Sequence, residues 1–204
     1  AEGHADIERF GLDAGRIDTR GSFTGVPVAA LARLAGSTLP FESTLVLGGD
    51  WNLLAAPRLN GAFAVERERG DIYGAKDMGL DELERAVGIT GLGLRGRFVD
   101  GALDADASLR TSRGGSADAK LAVAATPPGG TPGDAALRGT LRADLTSLRP
   151  FQPWLGTAAA IDGRAGLDAS IGGTLARPSY SGALTGDALR LAVPQHGVQF
   201  QDGR

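Results

Sequence analysis

Residues 55–63 read A-A-P-R-L-N-G-A-F, and residues 176–184 read A-R-P-S-Y-S-G-A-L. Both fit A-x-P-x-Φ-x-G-A-Φ, where Φ is a large apolar residue. Both follow a Gly-Gly pair, Gly48–Gly49 and Gly172–Gly173. Apolar positions two apart belong to one side of a strand, and a repeated strand phrase implies a stacked β architecture. In such arrays function is spread along a surface and not gathered into a catalytic triad.

Working outward, the same alternation recurs. Leu59, Gly61, Phe63 and Val65 share one parity, against Asn60, Ala62, Ala64 and Glu66. Leu103, Ala105, Ala107 and Leu109 alternate with Asp104, Asp106 and Ser108. Residues 137–145 place Leu137, Gly139, Leu141, Ala143 and Leu145 against Arg138, Thr140, Arg142 and Asp144, and Ala165, Leu167, Ala169 and Ile171 repeat the pattern. Phe23, Leu45, Leu47, Leu121, Tyr180 and Leu184 are assigned to the same apolar face. A period of two gives one apolar face and one wet face, which describes a sheet covered on one side only. The fold class expected is all-β: a long curved sheet rolled into an open, solenoid-like groove. Val, Ile, Thr and aromatics are sparse, so pairing with neighbours and not intrinsic propensity must hold the strands.

Short helices interrupt the pattern. Residues 26–36, VPVAALARLAG, carry Pro27 at a first helical position with Leu31 and Leu34 three apart. Residues 78–88, MGLDELERAVG, place Leu80, Leu83 and Val87 at helical spacing with Gly88 as a stop. Both predict helices of two to three turns, whose Leu31, Leu34, Leu80 and Leu83 would plug or gate the groove. Residues 145–156 contain Pro150 and Pro153 and predict a broken turn. The repeat is wider than the phrase: Gly21, helix, Gly36 corresponds to Gly139, turn, Gly156. The Pro/Gly stretch 124–136 reads as a loop between two groove segments, 1–123 and 137–204.

Composition narrows the function. The chain has 204 residues, 42% hydrophobic and only 5% aromatic, with 32 Gly and 10 Pro. Gly and Pro together stay below the roughly 25–30% that marks low complexity, so the chain folds, with many turns. Net charge is −3 with only two lysines, Lys76 and Lys120, and no basic block, which argues against nucleic acid as a partner. Without cysteine there is no disulfide, thiolate metal site or thiol nucleophile. No stretch approaches 18 consecutive apolar residues. Both ends read as cut from a longer protein.

Motifs for chemistry are weak. GLGLRG at 91–96 matches a dinucleotide fingerprint, but the residues after it alternate like a strand. A calcium loop starting at Asp104 would need Gly and Glu where Leu109 and Gly115 stand. His4 and His196 lie near opposite ends, with no metal-ligand spacing and no G-x-S-x-G elbow. The run ERERGD, 66–71, reads as a solvated strand end. Trp51 and Trp154 fit a ligand surface or a core equally well. No cofactor, metal site or enzymatic activity is expected.

The order of phrases from residue 137 onward carries a family resemblance. The broken turn Leu145–Gly156 is followed by G-R-A-G-L-D-A-S-I-G-G-T-L-A-R-P-S-Y-S-G and then by L-R-L-A-V-P-Q-H-G-V-Q-F-Q-D-G. LGGDWNLLAAPRLNGAFAVERERGDI is similar in the same way. This resembles the TamB family, the inner-membrane component of the translocation and assembly module, over most of residues 21–204. The family is similar in build to the AsmA-like and bridge-like lipid transfer proteins. The resemblance implies a periplasmic part of an inner-membrane-anchored protein of a Gram-negative bacterium. It implies a β-taco groove with an apolar lining, and an outer-membrane barrel partner of the Omp85 class reached through the far C-terminus of the parent. The implied roles are outer-membrane protein assembly and secretion, and phospholipid transport between the membranes.

The residues support a groove independently. About a dozen strands at ~4.8 Å spacing make a trough on the order of 55 Å long. Such a surface exceeds the few hundred Å² of exposed apolar patch usual on a monomer. Phospholipid acyl chains are natural guests, since each buried CH₂ contributes about 0.8 kcal/mol. The alternatives are a chaperone-like scaffold that templates outer-membrane strands by edge pairing, a structural β-solenoid, and an enzyme on a β-helix.

Overall fold

The computed structural model describes residues 3–13, 15–34, 36–39, 41–74, 80–155, 160–193 and 198–203. His196, Gly156, and Met78–Gly79 of the second expected helix lie outside them. The alternating segments all form strands. β1 (His4–Asp13) and β2 (Arg16–Pro27) make the first hairpin, followed by α1 (Val28–Leu34) and the short β3 (Glu42–Ser43). β4 (Val46–Ala55) and β5 (Leu59–Arg69) follow, then β6 (Ile72–Tyr73) and α2 (Glu82–Arg85). β7 (Ile89–Val99), β8 (Ala102–Thr111), β9 (Ser116–Val123) and β10 (Leu137–Leu145) continue the meander. A 3₁₀ turn, Arg149–Phe151, runs into α3 (Gln152–Leu155), and β11 (Ala160–Gly173), β12 (Pro178–Val193) and β13 (Val198–Gly203) complete the order.

Eleven strands form one antiparallel sheet in the order β1-β2-β4-β5-β7-β8-β9-β10-β11-β12-β13, with a separate two-stranded pair, β3-β6. The large sheet does not close; β1 and β13 are its edges. Ten spacings at ~4.8 Å give roughly 48 Å from edge to edge. The Pro/Gly stretch does not interrupt it. β9 and β10 pair from Leu137 opposite Val123 to Asp144 opposite Ser116. The loop instead docks on the next hairpin, where Leu175 N donates to Ala135 O (3.1 Å) and Ala176 N to Gly133 O (2.9 Å).

The helical segments are shorter than the sequence predicts. Pro27 ends β2 and does not open α1, whose side chains are all outside the core. α2 is one turn. Asp81 and Glu84 form a reciprocal capping box, but Ala86 is already extended (ψ 137°) and bridges to Tyr73. Pairing with β6 therefore ends the helix before Val87 and Gly88. Within 145–156, residues 146–155 form the expected broken turn, with Pro150 in the 3₁₀ turn.

The repeat has a structural counterpart. β2, α1, β4, β5 and β10, the 3₁₀ turn with α3, β11, β12 share one order: strand, insert, strand, hairpin, strand. Both nine-residue phrases occupy the hairpin and its return strand. A Cβ on Gly61 would collide with Asn52 O, and one on Gly182 with Asp168 O. The Gly-Gly pairs are not equivalent. Gly48–Gly49 lie early in β4, whereas Gly172–Gly173 end β11 at its hairpin.

The two ends of the sheet differ. α1, β3, β6, α2 and α3 all join strands at the end where β2 finishes and β4 begins. The six register shifts among the described pairs also lie toward that end: Ile7/Arg9, Phe23/Val26, Val46/Leu47, Ile89/Gly91, Asp162/Arg164 and Leu189/Leu191. Bulges bend and twist the strand that carries them, so curvature is concentrated there. Most of the small core is there too: Leu45, Val46, Ala86, Val87, Ile89 and Leu148 are buried.

The run ERERGD holds this end together and is not merely a solvated strand end. Glu68 is the extra residue of the β5 bulge, and both its carboxylate oxygens accept from Gly25 N (3.1 Å each) in the β2 bulge. Its side chain passes over Gly48 of the intervening β4, where a Cβ would collide with it. Asp71 Oδ2 accepts from Gly88 N (3.0 Å) and Ile89 N (3.1 Å), and its Oδ1 from Ile72 N (2.8 Å). One carboxylate thus ties the chain after β5 to the start of β7.

Asp71→Ala would leave half-buried N–H groups without their acceptor and is expected to destabilise by about 2 kcal/mol. Asp168→Ala, which removes only the exposed pair with Arg142, should cost less than about 1 kcal/mol. Urea unfolding monitored by circular dichroism ranks the two.

Candidate functional site

The register carries the apolar parity from strand to strand. One row of directly opposed residues reads Gly21, Trp51, Phe63, Gly96, Ala105, Leu121, Gly139, Ile171, Tyr180. The next reads Phe23, Gly49, Val65, Leu94, Ala107, Ala119, Leu141, Ala169, Gly182, and a third runs Leu92, Leu109, Ala117, Ala143, Leu167, Leu184. Leu59 and Leu103 share the face through Ala55 and Phe98, and Leu47 through Val26. Of the expected lining residues, Phe23, Leu47, Leu59, Phe63, Val65, Leu103, Leu109, Leu121, Leu141, Leu167, Ile171, Tyr180 and Leu184 therefore lie on a single face.

Leu45 does not. It precedes β4, where its N–H donates to Ser43 Oγ (3.1 Å), and at 3% exposure it belongs to the core of the insert end. The four leucines expected to gate the groove are not packed together. Leu34 and Leu83 are 85% and 75% exposed, Leu31 is partly exposed, and Leu80 is half-buried. α1 has no buried residue, and α2 is a single turn that starts after Leu80.

The face is half-buried over the middle strands, at Phe63, Leu121, Leu141 and Leu167, and most open on β1 and β12. Phe10, Tyr180 and Leu184 are 68%, 72% and 77% exposed. The total accessible surface is 12856 Å², against roughly 8,900 Å² for a compact monomer of this mass. An open one-layer sheet accounts for the excess.

The face is smooth as well as apolar. Three aromatic rings lie over glycines of neighbouring strands: Trp51 over Gly21, Phe23 over Gly49 and Phe63 over Gly96, where a Cβ would strike the ring. Phe63 also meets Phe98, with ring centroids 6.1 Å apart. Trp51 Nε1 donates to Thr19 Oγ1 (3.0 Å), so its polar atom is satisfied within the face. Trp51, which by its sequence fits a ligand surface or a core equally well, lies in this face. Its parity with Gly49 and Leu53 was the signal that settles it.

The opposite face is charged and self-paired. Arg110–Asp118 (2.8 Å), Arg142–Asp168 (3.0 Å) and Arg164–Asp187 (2.8 Å) link adjacent strands. Asp104 and Asp106 stand opposite Arg97 and Arg95. Glu66 shares this face, and GLGLRG lies within β7, so no helix N-terminus is offered to a phosphate. No cluster of three metal-ligating side chains occurs among the described residues, and no helix there is long and apolar enough to cross a membrane.

At the insert end the connections contact one another. Arg113 donates to Leu83 O (2.8 Å) and to Ala86 O, joining the β8–β9 turn to α2. Arg85 donates to Gly74 O (2.9 Å) and pairs with Glu42 of β3 (3.3 Å). Phe41, next to β3, meets Trp154 of α3 with centroids 5.3 Å apart. The inserts of β2–β4 and β10–β11 therefore touch, although five strands separate β4 from β11 in the sheet. Arg149 anchors the α3 insert through two bonds to Asp162 (3.1 and 2.9 Å). That bond, followed by the Gly163 N–H, holds the Asp162 carboxyl below the usual aspartate range.

No family model, curated protein or solved structure matches the chain.

A lowered carboxyl stabilises the docked insert fully above the ordinary aspartate pKa of about 3.9, and that contribution is lost as pH falls through the lower folded value. In a Trp51→Phe background, Trp154 emission should hold steady from neutral pH down to that range and red-shift below it. Arg149→Ala should show the shifted emission already at neutral pH.

Proposed function

We propose that this chain is a segment of a lipid-conducting surface in the periplasm of a Gram-negative bacterium. In this reading phospholipid acyl chains lie on the apolar face and move across the strands, from β1 toward β13 or back. The parent protein is anchored in the inner membrane and works with an outer-membrane barrel of the Omp85 class, as in the TamB family that the phrases resemble. It acts as a conduit and not as a catalyst, in phospholipid transport and outer-membrane protein assembly.

The observation that carries the proposal is the apolar register that runs from β2 to β12 on a face half-buried over the middle strands and open at β12. A uniform face suits transport. Neighbouring rows offer an acyl chain nearly the same contacts, so no position holds it strongly. The flattened rings over Gly21, Gly49 and Gly96 remove side chains that would stand across its path.

Photo-crosslinking residues introduced at Phe63, Leu121 and Leu167 are expected to capture phospholipid, and the same residues at Glu66 and Asp104 are not. Leu167→Asp should interrupt transport in the parent protein, and because Leu167 is half-buried, circular dichroism of the variant checks that the sheet still forms. Native mass spectrometry finding no co-purified phospholipid, together with no lipid adducts at the apolar positions, would sink the idea. Adducts to nascent barrel proteins at β1 or β13 would instead favour templating of strands at the sheet edges.

A further inference from the structure

We infer that Arg67 is a headgroup site, taking the phosphate of an anionic amphiphile whose chains lie on the apolar face. This rests on the reading of that face as a lipid surface and names the ligand class it prefers.

Arg67 follows Val65 on the apolar parity of β5 and stands directly opposite Leu47. Among the described residues in register on this face it is the only charged one. No carboxylate among the described residues lies within ion-pair distance of it, although arginines of the opposite face are paired at 2.8–3.0 Å. Its guanidinium is nevertheless held in place. Nε donates to Gly70 O (3.0 Å) and Nη1 to Thr90 O (3.5 Å). A guanidinium has five N–H donors, so about three remain for a ligand. An unpaired, oriented guanidinium beside apolar surface is a strong receptor for a phosphodiester, because it forms forked, charge-assisted bonds where water competes poorly.

Position agrees with this chemistry. Arg67 lies at the insert end of the strand, and the apolar parity runs from it through Val65, Phe63 and Gly61 to Leu59. Eight steps along the strand at ~3.3 Å give roughly 26 Å of track from Arg67 to Leu59. One leaflet of a bilayer is about 15 Å thick in its hydrocarbon part. A lipid with its phosphate at Arg67 can therefore lay its chains wholly on the face, with its headgroup at the rim.

The test loads the full 204-residue chain from vesicles of equal phosphatidylglycerol and phosphatidylethanolamine and counts bound lipids by native mass spectrometry. The bound pool is expected to be enriched about tenfold in phosphatidylglycerol. Arg67→Gln should return it to the vesicle ratio with total lipid unchanged, and Arg67→Lys should keep part of the preference. A phosphatidylglycerol carrying a photoreactive headgroup, used on the unaltered chain, should label peptides containing Leu47 and Val65. Enrichment that survives Arg67→Gln, an unenriched pool on the unaltered chain, or headgroup labels at Leu59 and Phe98 would each overturn the inference while leaving the lipid surface standing. An unaltered chain that takes up no lipid removes both.

Discussion

In-register antiparallel pairing is the constraint on which this molecule depends. Side chains alternate with a period of two, so a slip of one residue in any ladder would exchange the faces of every strand beyond it. From β2 to β12 the pairing carries one parity across, and Phe23, Phe63, Leu121 and Tyr180 end up on the same side although they come from four distant strands. The apolar face is a property of the whole ladder and of no single strand. Cross-strand ion pairs such as Arg142–Asp168 oppose a slip, since a shift would turn their charges toward the apolar side.

The irregularities are as organised as the regular part. Register shifts and most of the buried core gather at the insert end, and the opposite end is built of hairpin turns and the docked Pro/Gly loop. Bulges would scramble the faces if they were unconstrained. Glu68 bound to Gly25 and Asp71 bound to Gly88 and Ile89 fix the chain where its pairing changes. The sheet thus has a firm, capped rim and a plain one, and the single charge in the apolar register lies at the firm rim.

Much of this was legible in the residues. The alternations at 59–65, 103–109, 137–145 and 165–171 identified strands and faces, because period two is a local property. The repeat in its wider form, sheet, short apolar insert, sheet, was legible from the Gly21–Gly36 and Gly139–Gly156 correspondence. Other features were not. Leu45 was assigned to the face by parity, but the chain turns before β4 and its side chain enters the core. ERERGD looked like a solvated strand end because neither Gly25 nor Gly88 is near it in sequence. The helix at 78–88 shrank to one turn because Ala86 bridges to Tyr73, a partner that helical spacing cannot reveal.

The sequence by itself determined the parity of the regular strand stretches, the rough positions of turns and inserts, and an all-β class, since alternation, Pro and Gly act within a few residues. Only the tertiary structure decided that the strands pair in one sequential meander, that the sheet stays open between β1 and β13, and that inserts five strands apart touch through Phe41 and Trp154. These are relations between residues far apart in the chain, and no local pattern contains them.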